Sequence, residues 1–228
     1  MNMRMLWTST KLVLLSCLFL GLVYMLGMTG IAEVLFPGQA NGSLVHYDGR
    51  VVGSRLIGEQ FTSAGFFQGR PSATTPLYNA ADSSASNLGP TNKLLIEHVK
   101  ARVQAFLKEN PGIKASQIPV SLVESSDSGL DPDITPASAY IQVPRIAVAD
   151  DLPQSILRGI ISRHIHGRFI GIFGHPYVNV LSLNLSILKI AHVSDARTVP
   201  GDVLWIPGDL RFAPVPGAHT VRVSGNRR

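Results

Sequence analysis

The side chains that could do chemistry in this chain are few and poorly spaced for it. His164 and His166 lie two apart, which turns them to different faces of a helix and makes them poor partners for one metal. In a last helical turn they instead complement the negative end of the dipole. Asp127, Asp131 and Asp133 surround Gly129 and superficially suggest calcium. The spacing is not that of the twelve-residue calcium loop, no closing Glu follows and Pro132 intervenes, so these read as turn and cap residues. Cys17 is the only cysteine and sits in an apolar run, which excludes an internal disulfide and thiolate metal sites. The chain has no G-x-x-x-x-G-K-[ST] loop, no G-x-G-x-x-G, no G-x-S-x-G elbow and no H-E-x-x-H. Neither a metal site nor a tightly bound cofactor is expected.

The elements that would position these residues begin with an apolar stretch. Leu12 to Ala32 is 21 residues without a charge. As a helix it spans about 32 Å, enough for a hydrocarbon core of ~30 Å. Arg4 and Lys11 precede it and Glu33 follows, so the positive-inside bias puts residues 1–11 in the cytoplasm and the body outside. Gly30-Ile31-Ala32 resembles a signal-peptidase site, but an apolar run this long with no polar stretch after it favours an uncleaved anchor. Cys17 and Gly21 form a small-xxx-small pair that could admit another helix.

Beyond it, Ser43 to Tyr47 and Arg50 to Val52 predict a hairpin turned by Asp48-Gly49. Phe61 to Pro90 has no period and predicts a long ordered loop, a candidate contact surface. Its Phe66, Phe67 and Arg70 are residue types that anchor interfaces. A helix is expected over Asn92 to Asn110, with Leu95, Val99, Arg102 or Val103 and Phe106 on its inner face and Pro111-Gly112 ending it. Next come a short strand near Ile118 to Val123 and a helix opened by Thr135-Pro136 and running to Gln142. Pro144 forces a break before Arg145 to Ala149. A helix from Pro153 to about His166 buries Ile156, Leu157, Ile160 and Ile161, and alternation over Val180 to Ile187 predicts a half-buried strand. The fold class is α+β: one N-terminal transmembrane helix followed by one mixed extracytoplasmic domain over residues 33–188, then a variable tail over 189–228.

Charge excludes a nucleic-acid partner. The net +5 of the 228 residues divides as +2 over residues 1–32, zero over 33–188, where twelve bases meet twelve acids, and +3 over 189–228. A body without net charge or a basic run does not track phosphates.

Several segments in order then carry a resemblance. They are Leu35 to Leu44 (LFPGQANGSL), Gly65 to Ala73 (GFFQGRPSA), Ser86 to Asn92 (SNLGPTN), Ser128 to Pro132 (SGLDP), Gln142 to Arg145 (QVPR), and Val178 to Leu181 with Leu183-Asn184-Leu185. Over about residues 8 to 188 the chain resembles the C subunit of the bacterial Kdp system, a high-affinity potassium-transporting P-type ATPase. The resemblance implies a single-span inner-membrane subunit with its body extracytoplasmic. Its implied partners are the catalytic P-type ATPase subunit, a potassium-channel-like subunit and a small single-span subunit. The chain lacks D-K-T-G-T and a T-V-G-Y-G filter, so ATP hydrolysis and ion selection belong to those sisters. The resemblance further implies a role in assembly, and a catalytic-chaperone role raising ATP affinity, with Gln142 in nucleotide contact and ATP met only through the complex. The topology puts Gln142 on the side away from a cytoplasmic ATPase domain, so it is expected instead to cap or bridge at the break before Pro144. His166 and His175 stand where the family usually has acids. The alternative is a secreted or anchored hydrolase with a Ser/His/Asp or metal site in the loop from Phe61 to Pro90.

Overall fold

A computed structural model describes residues 2–195 of the chain. They divide into two compact units, one up to Leu56 and one from Ile57 onward.

In the first unit, helix α1 (Met3–Leu35) is unbroken, with a stretch of wider π-type turns over Phe19–Tyr24. Its apolar side chains are exposed along its length, Leu14 and Phe19 among them. A core helix of a water-soluble protein would bury such a stripe, whereas a helix this apolar and exposed has lipid as its matching solvent. It is longer than the apolar run alone, because nothing in residues 3–11 breaks a helix and Thr8 and Thr10 return their hydroxyl protons to carbonyls one turn back. After Phe36 a single turn, α2 (Pro37–Ala40), leads into the hairpin of β1 (Leu44–Tyr47) and β2 (Arg50–Ser54). Asp48 and Gly49 both hold the positive φ that a type I′ turn demands. The pairing is antiparallel with an irregularity between Val45 and His46.

In the second unit the chain from Ile57 to Asn92 forms no helix or strand. Helix α3 (Lys93–Glu109) follows, capped by Asn92, whose Oδ1 accepts from Leu94 N at 2.9 Å. Leu95, Val99, Arg102 and Val103 are half-buried on its inner face and Phe106 is buried. The strand expected near Ile118 to Val123 is absent. Pro119 cannot donate to a ladder, and the segment makes two 3₁₀ turns, Ala115–Gln117 and Val120–Leu122. Strand β3 (Asp133–Ile134) leads to α4 (Pro136–Tyr140), capped by Thr135 Oγ1 on Ser138 N. Pro144 lies in the first turn of α5 (Val143–Ala149), so the break falls at Ile141 and Gln142. Helix α6 (Gln154–His164) buries Leu157, Ile160 and Ile161 but leaves Ile156 exposed.

Strand β4 (Val178–Asn179) pairs antiparallel with β3, Ile134 opposite Val178. The strand expected over Val180 to Ile187 is instead the start of α7 (Val180–Asp195). The buried residues Val180, Leu183, Asn184 and Ile187 recur at helical spacing. Asn179 Oδ1 accepts from Ser182 N at 3.1 Å, a cap that turns the chain from strand to helix. Helix α7 thus carries the first residues of the expected tail, and residues 196–228 lie outside the described residues. The core joins Ile134, Ala139, Val143, Ile146, the α6 stripe and the buried face of α7, and one loop residue, Phe67, enters it.

Candidate functional site

The long loop is held against this core by side-chain amides. Asn184, on α7 and 2% exposed, pairs with both polar groups of the Phe67 backbone: Phe67 N donates to Oδ1 at 2.8 Å and Nδ2 donates to Phe67 O at 3.0 Å. Gln142, fully buried between α4 and α5, does the same for the next residue. Gln68 N donates to its Oε1 at 2.8 Å, and its Nε2 donates to Gln68 O at 3.1 Å. Each amide replaces one residue of a neighbouring strand, so an isolated stretch of loop is paired as if it lay in a sheet.

The rest of the Gln142 amide is also spent. Nε2 donates to Ser138 O at 3.0 Å, and Oε1 accepts from Arg145 Nη2 at 2.9 Å. Arg145 in turn donates to Phe66 O at 3.0 Å, to Ala64 O, and through Nε to Asn110 Oδ1 at 3.2 Å. Burial pushes the Arg145 guanidinium down from its ordinary value, while the charges of Glu109 and Asp150 oppose that shift. Asp150 is pushed up by burial and pulled back by Arg145. Gly65 packs so closely that a Cβ there would lie 2.0 Å from Asp150 Oδ1.

Farther along, Arg70 Nη1 donates to Asp131 Oδ2 at 2.9 Å, a pair whose side chains are 27% and 28% exposed. Tyr78 donates its hydroxyl proton to Arg70 O, and burial pushes its phenol up to about 12. Ser72 Oγ accepts from the N–H of Thr74 and of Tyr78 at 3.2 and 3.0 Å, so these hydroxyls serve the loop backbone. Gly129 sits at φ +70°, and a Cβ there would meet Ser84 O and Thr74 Cγ2 at 2.7 Å each. Among the described residues no three His, Cys, Asp or Glu side chains converge. Glu59, beside Phe61 and Asp131, is pushed up to about 7 by burial alone.

The expected contact residues divide. Phe67 is fully buried in this chain's own core, so its side chain is a core group here and not a surface one. Phe66 and Arg70 are half-buried, and Phe66 meets Phe61 edge to face at 6.0 Å between ring centres. Cys17 is exposed on α1, and open space surrounds the position of a Cβ at Gly21. Gln142 bridges at the helix break, and its partner is a loop residue distant in sequence. His164 Nδ1 donates to Ile160 O one turn back at 2.9 Å, whereas His166 lies past the helix end, stacked on Tyr177. His175 is exposed. Asn184, Arg145 and Asn110 were not expected as loop holders. The available signal for Asn184 was a polar residue inside the apolar face of a helix, which needs an internal partner.

A helix long and apolar enough to cross a membrane thus precedes an α+β body whose buried polar network braces the loop backbone. Residues 6–189 match the family described as K+-transporting ATPase, c chain, and the chain belongs to that family. It is 52% identical over 186 residues to the potassium-transporting ATPase KdpC subunit of Methylobacterium nodulans, covering 76% of this chain and 91% of that one. To the subunit of the same name from Caldanaerobacter subterraneus it is 48% identical over 179 residues, covering 78% and 92%. To that of Acidobacterium capsulatum it is 49% identical over 185 residues, covering 81% and 98%. The chain is an accessory subunit of a potassium-transporting ATPase and not its catalytic one, which replaces the hydrolase alternative.

Proposed function

We propose that this chain is a membrane-tethered support subunit of the inner-membrane pump, with α1 spanning the bilayer, the N-terminus cytoplasmic and the body outside. Arg4 and Lys11 before the apolar run and Glu33 after it support that orientation. Its partners are the catalytic P-type ATPase subunit, the potassium-channel-like subunit and the small single-span subunit, which it helps to assemble and stabilise. Any gain in ATP affinity is transmitted through the complex, without a bond from Gln142 to the nucleotide.

The observation that carries this reading is the saturated Gln142 amide: two donated and two accepted hydrogen bonds, all within the chain, at a fully buried position. A nucleotide contact would have to break bonds that hold the loop. The test is Gln142→Ala in the intact pump. The expected result is a lower yield of assembled complex and a lower melting temperature, with the KM for ATP of the surviving complex unchanged. Normal assembly with a raised KM for ATP would support direct nucleotide contact and overturn this reading.

A further inference from the structure

Between α6 and β4 the chain projects an apolar tip. His166 and Tyr177 exchange backbone hydrogen bonds at 2.9 and 3.1 Å and stack their rings 4.9 Å apart, closing the base. Phe169 and Phe173 do the same farther out, each donating to the other's carbonyl at 2.9 and 3.0 Å. At the end Phe169, Ile170, Ile172 and Phe173 are exposed by 73, 73, 72 and 65%. Scattered exposed apolar residues are ordinary, but four large ones within five positions are not. Ile170 also holds φ +52°, a conformation rare for a β-branched residue, so the turn keeps it outward at a local backbone cost.

The charge around the tip identifies the matching surface. From Leu152 to Ser194 the sequence contains no Asp or Glu, Arg163 ends the helix before the tip and Arg168 adjoins Phe169, and the acid nearest the base is Asp133, which faces His166. Apolar side chains ending in a cationic collar are complementary to a lipid interface, where acyl chains accept the first and anionic headgroups the second. The chain brings its own membrane segment, so even shallow contact is favoured by effective concentration. We propose that the tip formed by Phe169, Ile170, Ile172 and Phe173 inserts into an anionic phospholipid surface. The proposal rests on α1 being the anchor.

The test uses the full chain with Cys17→Ser, carrying one nitroxide label at a time in nanodiscs of phosphatidylethanolamine and phosphatidylglycerol in equal parts. Phe19→Cys reports the anchor, Val148→Cys the aqueous surface and Ile170→Cys the tip. The label at 170 is expected to match that at 19, open to oxygen and shielded from a water-soluble nickel chelate. The shielding should be lost in Phe169→Ser/Phe173→Ser and should weaken in pure phosphatidylcholine. A label in lipid at 19 but in water at 170 overturns the tip proposal alone. Water at 19 overturns the anchor and the tip proposal together. Shielding at 170 only when the other pump subunits are added would assign the tip to a protein pocket and overturn lipid insertion.

Discussion

Asn184→Leu isolates the amide clamp. Leucine keeps the branched shape of the side chain and improves helix preference, but leaves Phe67 N–H and Phe67 C=O, both paired only by Asn184 in this network, facing a hydrocarbon side chain. Each buried polar group left unpaired costs about 1–3 kcal/mol, and the filled volume keeps out a replacement water, so the sum is roughly 2–6 kcal/mol. That is a large share of the ~5–15 kcal/mol that stabilises a domain. At roughly 2–4 °C per kcal/mol for a chain of this size, melting should fall by about 10 °C. The assay is thermal unfolding of the full chain in detergent, with amide exchange read at Phe67 and Gln68. Asn92→Ala is the control, because it removes an exposed helix cap, that of α3, at a cost of about 1 kcal/mol. A loss in Asn184→Leu no larger than in that control, or unchanged protection at Phe67, would refute the reasoning.

Two further outcomes are expected. The Glu59 carboxyl sits at about 7 in the folded chain against 4.5 when free, so the fold holds a proton that the unfolded chain releases. Its stabilising effect is full below about 4.5 and is lost as pH rises through about 7. Glu59→Gln should therefore raise stability at pH 8 by on the order of 1 kcal/mol, discounted for residual solvent, and leave it unchanged at pH 4, as chemical denaturation at the two pH values will show. Replacing Leu12 to Ala32 with an unrelated spanning helix of equal length should preserve the assembled pump, whereas deleting residues 1–33 behind a cleavable signal should largely abolish it. Copurification reads both, and loss of the complex after the swap would make Cys17, Gly21 and their neighbours a helix interface.

What could be read from the sequence was what local physics decides. Asp48-Gly49 specifies its turn, and Asn92 and Pro111-Gly112 bracket α3 whatever the rest of the chain does. The misreadings occur where local signals are ambiguous. Leu181-Ser182-Leu183-Asn184-Leu185-Ser186-Ile187 alternates perfectly for a strand, yet the same residues bury Val180, Leu183, Asn184 and Ile187 as a helix once Asn179 caps it. Gln142 was placed at a helix break, but that it reaches Gln68 depends on contact between segments 74 positions apart, which no local pattern encodes. The same holds for Asn184 and Phe67, 117 apart.

Because both polar groups of Phe67 and of Gln68 are clamped, the loop cannot rotate, and its side chains must alternate. Gly65 and Phe67 are buried; Phe66, Gln68 and Arg70 remain half-buried and hold their outward positions through Phe61, Glu109 and Asp131. A partner can therefore meet Phe66, Gln68 and Arg70 but not Phe67. Phe67→Ala should act on the fold itself, costing about 3–5 kcal/mol from the cavity it leaves, so any loss of the complex it causes follows from unfolding. Phe66→Ala keeps the backbone clamp intact and should lower the yield of copurified pump at a temperature where the isolated chain still melts within a few degrees of the parent. The pair of variants separates surface from core. Equal assembly by Phe66→Ala and the parent chain would show that the outward face of the loop is not a contact surface, even though the clamp presents it.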